Sequence, residues 1–92
     1  MQRAMLRITE NSDADMIRLR LDGTVNSDGW REVEEICLRH RNKNGKPIVL
    51  DMGGIVFLHT EVAARLMEIR GERLRLINCS PFIESLFKAL EK

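Results

Sequence analysis

The chain has 92 residues, which is enough for one compact domain and too few for a second domain with its own core. Apolar residues make up 43% of the chain and charged residues 32%, a mixture typical of a folded globule and not of a disordered segment. The 15 basic and 14 acidic side chains give a net charge of +1, so no overall charge attracts nucleic acid. We therefore expect residues 1–92 to form a single domain.

The sequence also predicts where the protein resides. No apolar run approaches the roughly 18 residues of a membrane span, and residues 1–7 lack the apolar stretch of a secretory signal. We therefore expect a cytoplasmic protein. Cys37 and Cys79 lie far apart, without the spacing of a redox or zinc motif, so we expect both thiols to be reduced and packed in the interior.

The first part of the chain predicts a pair of strands. Residues 5–9 alternate between apolar and polar, and the polar residues 10–15 that follow predict a turn. From Ile17 to Asp22 apolar and charged residues alternate again, as in a strand that is covered on one side only. We expect these two strands to form an antiparallel hairpin, the second strand of which ends at Asp22-Gly23.

A helix and a buried strand are predicted next. Asn26 or Ser27 can cap a helix that runs to about Arg41. Its apolar stripe, at helical spacing, consists of Trp30, Val33, Ile36, Cys37 and His40. The continuous apolar run Ile48-Val49-Leu50 is typical of a central strand, and Gly53-Gly54 breaks the pattern after it.

The last part of the chain alternates helix, strand and helix. Thr60 can cap a second helix that ends at Gly71, and residues 73–78 predict a fourth strand. Ser80-Pro81 is typical of a helix start, because serine caps free N–H groups and proline fits the first helical position. The predicted fold is therefore α/β, with a four-stranded mixed sheet, helices packed against it and the order β-β-α-β-α-β-α.

Three segments in this order resemble a known family. They are the central strand Ile48-Val49-Leu50-Asp51, the segment from Gly53 to Ala63, and Arg75-Leu76-Ile77-Asn78-Cys79-Ser80-Pro81. Together with the element order they resemble the STAS domain, which is named after the sulfate transporters and anti-sigma-factor antagonists in which it occurs. The resemblance covers nearly the whole chain, from about Met5 to Leu90, and it implies a STAS-like fold and a protein-binding role.

The resemblance also implies a site. In that family an Asp-Ser-Ser-Gly motif typically opens the second helix, and its second serine is the usual phosphorylation site. The corresponding residues here are His59 at the aspartate, Thr60 at the first serine, Glu61 at the phosphorylated serine and Val62 at the glycine. Only Thr60 keeps a hydroxyl, so this chain departs from the motif that is switched by phosphorylation.

Glu61 and Thr60 each have an ordinary and a functional interpretation. An acidic side chain in the first turn of a helix is favourable by about 0.3 to 1 kcal/mol, so Glu61 is either a simple helix-start charge or a permanent substitute for a reversible phosphate. Thr60 is either a helix cap, a phosphorylation site, or a hydroxyl that a partner contacts directly.

The leading hypothesis is a non-enzymatic, bacterial, anti-sigma-factor-antagonist module that binds a serine-kinase-type anti-sigma factor. The resemblance places its partner-binding residues at Leu58, His59, Thr60, Glu61 and Val62. A cytoplasmic accessory subunit that docks on the ATPase of an ABC-type transporter is the first alternative, and a small-ligand or nucleotide sensor is the second. The possibility of a homodimer through an exposed strand edge stays open.

Catalytic, metal and cofactor sites are not predicted. His40 and His59 have no further metal ligands at short spacing, and no serine or cysteine has a nearby histidine in sequence. Gly53-Gly54 lacks the lysine and hydroxyl residue of a phosphate-binding loop. Arg18 and Arg20, with Arg73 and Arg75 on another strand, are expected to form a solvated basic face of the sheet.

Overall fold

The structure, a computed structural model, describes residues 6–91. The predicted start of the first strand at Met5 lies outside this range. The elements follow the predicted order and are β1 (Leu6–Ser12), β2 (Ile17–Val25), α1 (Ser27–Lys43), β3 (Ile48–Leu58), α2 (Thr60–Ile69), β4 (Leu74–Ile77) and α3 (Pro81–Leu90). None of the helices in this range is long and apolar enough to cross a bilayer.

The strands form one mixed sheet in the spatial order β1-β2-β3-β4. β1 and β2 pair as the predicted antiparallel hairpin, whereas β2 with β3 and β3 with β4 are parallel and are connected through α1 and α2. β3 therefore lies in the middle of the sheet, as its continuous apolar run predicts. The α/β class and the mixed sheet expected from the sequence are confirmed.

The core lies between one face of the sheet and the three helices. Side chains at alternate positions of the strands join apolar residues of every helix in one buried cluster. Its helix members are Trp30, Val33, Val62, Ala63, Leu66, Ile83 and Phe87. The remaining residues of the predicted α1 stripe, Ile36, Cys37 and His40, are half-buried at the edge of this cluster.

The other face of the sheet is open to solvent. Arg18 and Arg75 are exposed and lie on either side of Val49 in the register of the three strands. Val49 is buried although it is outside the main cluster. Its burial is consistent with the aliphatic parts of these two arginines lying over it. Arg73, which the sequence places on the same basic face, instead lines a cavity on the helix side, since it precedes β4 and is not part of the alternation of that strand.

Three strands are longer than the sequence predicts. β1 continues through the predicted turn to Ser12, because residues up to that point pair with β2. β2 continues through Gly23 to Val25, and β3 passes through Gly53 and Gly54, where irregularities in the β2–β3 register keep the two strands paired. The predicted breaks at the glycines are therefore wrong: these residues lie within the strands.

The extended β1 brings Glu10 to α1. Its carboxylate Oε2 lies 2.6 Å from His40 Nε2. The prediction treated His40 as a packing residue, and its side chain is indeed mostly covered, but this contact with β1 was not predicted because the two residues are far apart in sequence.

Candidate functional site

The predicted site lies where β3 passes directly into α2. β3 ends at Leu58, His59 is the N-cap residue of α2, and Thr60 is its first helical residue. The His59 side chain makes no capping hydrogen bond, so the first turn of α2 has backbone N–H groups without a side-chain acceptor from the cap. The prediction that Thr60 caps this helix is wrong by one residue.

The five predicted contact residues divide into two groups. His59, Thr60 and Glu61 are exposed. Leu58 and Val62 are each only 2% exposed and belong to the hydrophobic core. The part of the prediction that assigns partner contacts to the side chains of Leu58 and Val62 is therefore corrected, and their role is to fix the turn on the core from which the three exposed residues project.

Glu61 joins the starts of two helices. Ser27, the first residue of α1, donates a hydrogen bond from its hydroxyl to Glu61 Oε1 over 2.9 Å. Asp28 follows Ser27, so the N-terminal ends of α1 and α2 each carry a carboxylate in the first turn. Both charges suit the partial positive charge of these helix ends. Sequence reasoning placed Glu61 in the first turn of α2 but did not find Ser27, which is 34 positions away.

A group of exposed aromatic rings adjoins these residues. Phe57 and Phe82 are 47% and 45% exposed and stack with ring centroids 6.3 Å apart and an interplanar angle of 24°. The His59 ring packs edge-on against Phe57 at 5.4 Å and 85°. Val56, the neighbour of Phe57 in the chain, is 74% exposed. Aromatic pairs of this kind contribute about 0.5 to 1.5 kcal/mol beyond the area that they bury.

An irregularity in β3 explains why Val56 and Phe57 face solvent. Gly23 pairs with Ile55, but the next residue of β2, Thr24, pairs with Phe57. One additional residue of β3 is therefore accommodated opposite β2, as in a β-bulge, and the alternation of buried and exposed residues is shifted there. The exposed pair Val56-Phe57 is followed by the buried Leu58. The apolar run 55–58 thus has two residues in the core and two outside it.

Phe82 reaches the site from the start of α3. Ser80 caps that helix, its hydroxyl accepting a hydrogen bond from the backbone N–H of Ile83, and Pro81 occupies the first turn as predicted. Ile83 and Phe87 are buried, and Phe82 is on the opposite, exposed side of the helix. The sequence could have identified Phe82 as exposed from this periodicity, but not as the partner of Phe57.

A polar network supports β3 just before the bulge. Asp51 Oδ1 accepts hydrogen bonds from Asn78 Nδ2 and the backbone N–H of Gly53, both over 3.0 Å. Arg20 lies 3.6 Å from the same carboxylate and 3.2 Å from Asp22 Oδ1. The network ties β2, β3 and the residue that follows β4 together on the open face of the sheet.

The charge state of Asp51 reflects these contacts. Burial acts to raise the pKa of the Asp51 carboxyl, but the hydrogen bonds from Asn78 and Gly53 and the nearby charges of Arg20 and Arg18 outweigh burial. Its pKa therefore lies below the ordinary value of 3.8. Asp51 is ionised at neutral pH and fully engaged within the protein, which indicates a structural role.

Other chemistry-bearing residues do not converge on the predicted site. Within residues 6–91, no three His, Cys, Asp or Glu side chains form a group that could hold a metal ion. Cys37 and Cys79 are free thiols and partly buried. Burial and the charge of Glu34 raise the pKa of the Cys37 thiol to about 11, and burial followed by the charge of Glu84 raises that of Cys79. Both are therefore protonated and poorly nucleophilic at neutral pH.

Comparison with known proteins identifies the fold. No family model matches this chain, and neither does any curated protein sequence. The chain is similar to a solved structure of the anti-sigma factor antagonist SpoIIAA in its unphosphorylated form, with a TM-score of 0.65 and 14% sequence identity over 90% of this chain and 81% of that chain. At this identity the likeness concerns the fold alone, and it confirms the STAS-like fold expected from the sequence.

Proposed function

We propose that this protein is a non-enzymatic regulatory module of the anti-sigma-factor-antagonist type, acting in the bacterial cytoplasm by binding a serine-kinase-type anti-sigma factor. The fold that it shares with an anti-sigma factor antagonist supports the class of the module. The residues at the start of α2 support the place of binding. Fold alone does not determine function, so the proposal rests on the surface around these residues.

We define the docking surface as Val56, Phe57, His59, Thr60, Glu61 and Phe82. The observation that carries the proposal is the concentration of exposed apolar side chains at this surface. Among the described residues the large hydrophobic side chains with substantial exposure are Leu38, Val56, Phe57 and Phe82, and three of these four lie here. Exposed apolar groups that cluster beside polar ones are typical of protein interaction sites, and aromatic anchors contribute most of the binding energy at such sites.

Glu61 supplies a permanent negative charge at the position that corresponds to the phosphorylated serine of the resembled motif. Its carboxylate is exposed and held by the Ser27 hydroxyl at 2.9 Å, so the charge has a defined position. A phosphate would carry about −1.5 to −2 and more acceptor oxygens, which makes Glu61 a partial mimic. We infer that Glu61 keeps the module in one binding state where related proteins alternate between two.

Thr60 supplies an exposed hydroxyl beside that charge. Because His59 occupies the cap position, Thr60 is not used for capping, and its hydroxyl is available to a partner or to a kinase. Intact-mass measurement of the protein purified from its native host distinguishes the two uses. A phosphate adduct that disappears in Thr60→Ala indicates modification. The absence of an adduct under every growth condition excludes modification and leaves direct contact, which the capture of the partner by Thr60→Ala tests.

Capture of the partner tests the docking surface. The tagged protein is used to capture partners from the source organism, together with the variants Phe57→Ala, Phe82→Ala and Glu61→Gln. Removal of an aromatic anchor typically costs about 2 kcal/mol or more in binding, so we expect at least about a tenfold loss of capture for the two alanine variants. Glu61→Gln keeps a hydrogen-bond acceptor for Ser27 and removes only the charge, and we expect it to change capture as well.

Glu35→Gln is the matched control for the charge, because Glu35 is an exposed acid of α1 outside the docking surface. It should capture the partner as the wild type does. Unfolding midpoints establish that each variant is folded. Unchanged capture by all three docking-surface variants would show that the surface is assigned wrongly.

A transporter accessory subunit is the second candidate. The exposed Thr60 hydroxyl favours it, because a hydroxyl that a partner contacts directly does not require the phosphorylated serine that Glu61 replaces here. The same capture experiment separates the two candidates by the identity of the protein that is retained. A soluble anti-sigma factor of the serine-kinase type supports the first, and the ATPase of a membrane transporter supports the second. In both cases Thr60→Ala should weaken capture.

A further inference from the structure

A partly enclosed cavity lies at the end of the domain opposite the docking surface. It is formed between one side of α1, the second half of α2 and the first residues of β3 and β4, where Ile48 and Leu74 form part of its wall. The docking surface is at the other end of β3, and no residue belongs to both sites. The cavity is therefore independent of the proposed partner binding.

The size of the cavity limits what can enter. Its volume is about 130 Å³. An engineered protein cavity of about 150 Å³ binds benzene, so a ligand body of one six-membered ring is the appropriate scale. The apolar wall includes Cys37, Leu38 and Ile69 as well as the two strand residues, and it suits a ring or a short alkyl chain.

The charge around the cavity is strongly unbalanced. Four cationic side chains line it, Arg41, Lys46, Arg65 and Arg73, against the single acid Glu34. Glu34 is already bound to Arg65 at 2.8 Å, and the Lys46 ammonium donates to the backbone carbonyl of Asp13 at 2.8 Å. Arg41 and Arg73 form no ion pair with any of the described residues. Two guanidinium groups therefore remain for an anion.

The wall also contains two neutral polar residues, Trp30 and Cys37. Trp30 lines the cavity, is 6% exposed, and its indole N–H has no hydrogen-bond acceptor within residues 6–91. A buried donor without an acceptor destabilises a protein, and such groups are rare. The Cys37 thiol is protonated, since its pKa is raised to about 11. Neither residue carries a negative charge that would compete with an anion for Arg41 and Arg73.

From the volume, the apolar wall and the unbalanced charge, we propose that the cavity is a binding site for a small monocarboxylate with an aromatic or short alkyl body of about six carbons. The body occupies the apolar space between α1 and α2. The carboxylate lies toward Arg41 and Arg73, whose planar guanidinium groups match it in shape and charge.

Titration with benzoate tests the proposal, and Trp30 is the reporter. Trp30 is the only tryptophan of the chain, so its indole N–H gives a single resonance in a proton–nitrogen correlation spectrum. We expect benzoate to shift this resonance saturably, while sodium chloride at equal ionic strength does not. Benzyl alcohol, which has the same ring without the charge, should bind more weakly, and benzylamine should bind least.

Two charge variants complete the test. Arg73→Gln should weaken benzoate binding by about fivefold, the scale of one solvent-accessible ion pair, and should leave benzyl alcohol unaffected. Arg75→Gln is the matched control, because it removes the same group from the open face of the sheet. Absence of a saturable shift with benzoate, or equal affinities for benzoate and benzyl alcohol, would overturn the proposal. Partner capture is not part of this readout, so its outcome does not affect the test.

Discussion

At the scale of single residues, Gly54 is the glycine of the sheet at which a side chain is least tolerated. A Cβ built there would overlap the Asp22 carboxylate and lie 2.9 Å from the backbone oxygen of Leu21, and a backbone atom cannot move aside cheaply. We expect Gly54→Ala to lower the free energy of unfolding by about 1 to 3 kcal/mol, the usual cost of overpacking. Urea denaturation at neutral pH provides the measurement.

Gly71→Ala is the control for this prediction. A Cβ at Gly71 meets no atom within 4 Å, so alanine there should be neutral or stabilise by about 0.4 to 1 kcal/mol through the unfolded state. If both variants had the same unfolding midpoint, the close packing of Asp22 over Gly54 would be refuted.

Asp51 gives a prediction on pH. Because the folded-state pKa of its carboxyl is below the ordinary value of 3.8, the folded protein binds a proton at this site less readily than the unfolded chain does. The resulting stabilisation is present above the ordinary pKa and is lost as pH falls through the folded pKa. Wild-type stability should therefore decrease from about pH 5 to about pH 2 more steeply than that of Asp51→Asn.

The comparison is made with urea midpoints at each pH, and Asp13 must be kept in both proteins. Its pKa is also lowered, chiefly by hydrogen bonds from the backbone N–H groups of Met16 and Asp15, and it contributes to the wild-type slope. Parallel pH profiles for the wild type and Asp51→Asn would contradict the network that links Asp51 to Asn78.

At the scale of the helices, the three N-caps differ in a way that predicts a rank order. Asn26 accepts a hydrogen bond from the Gly29 N–H at 2.8 Å, Ser80 accepts one from Ile83 at 3.3 Å, and His59 accepts none. Loss of a cap costs about 1 kcal/mol. Thermal or urea unfolding should therefore rank the destabilisation as Asn26→Ala, then Ser80→Ala, then His59→Ala. His59→Ala also removes the edge-on contact with Phe57, so the capping order is judged from the other two variants: a loss for Ser80→Ala larger than that for Asn26→Ala would contradict it.

Periodicity predicted these elements well because one face of each contributes to a single core. The strand Ile17–Asp22, the central run from Ile48 and the stripe of α1 all follow from alternation or helical spacing alone. The glycines misled the prediction. Gly23, Gly53 and Gly54 are typical of turns in isolation, but here the β2–β3 pairing continues past them with shifts of register that no local pattern contains.

The candidate site was predictable in part for the same reason. Its position in the chain follows from the end of a buried strand and the start of a helix, and the exposed residues His59, Thr60 and Glu61 were all included. The contacts that complete it join distant segments: Ser27 with Glu61, and Phe57 with Phe82. Such pairs depend on how the helices pack, and a single sequence carries no signal for them.

At the scale of the whole molecule, the single hydrophobic cluster predicts cooperative unfolding. It contains buried residues from β2, β3, β4 and all three helices, so no described helix can detach without exposing core side chains. Two probes in different regions test this. Trp30 fluorescence reports on α1, and alkylation of Cys79 in Cys37→Ser reports on the connection between β4 and α3. We expect both signals to change at the same urea concentration.

Cys79 is a suitable probe because burial and the charge of Glu84 raise the pKa of its thiol, so little thiolate is present in the folded state at neutral pH. Rapid alkylation should therefore begin only when the surrounding structure opens. If Cys79 became reactive well below the midpoint of the Trp30 transition, α3 would be a separate unit of lower stability. Phe82 would then belong to a segment that moves independently of Phe57, and the docking surface would form only when that segment is in place.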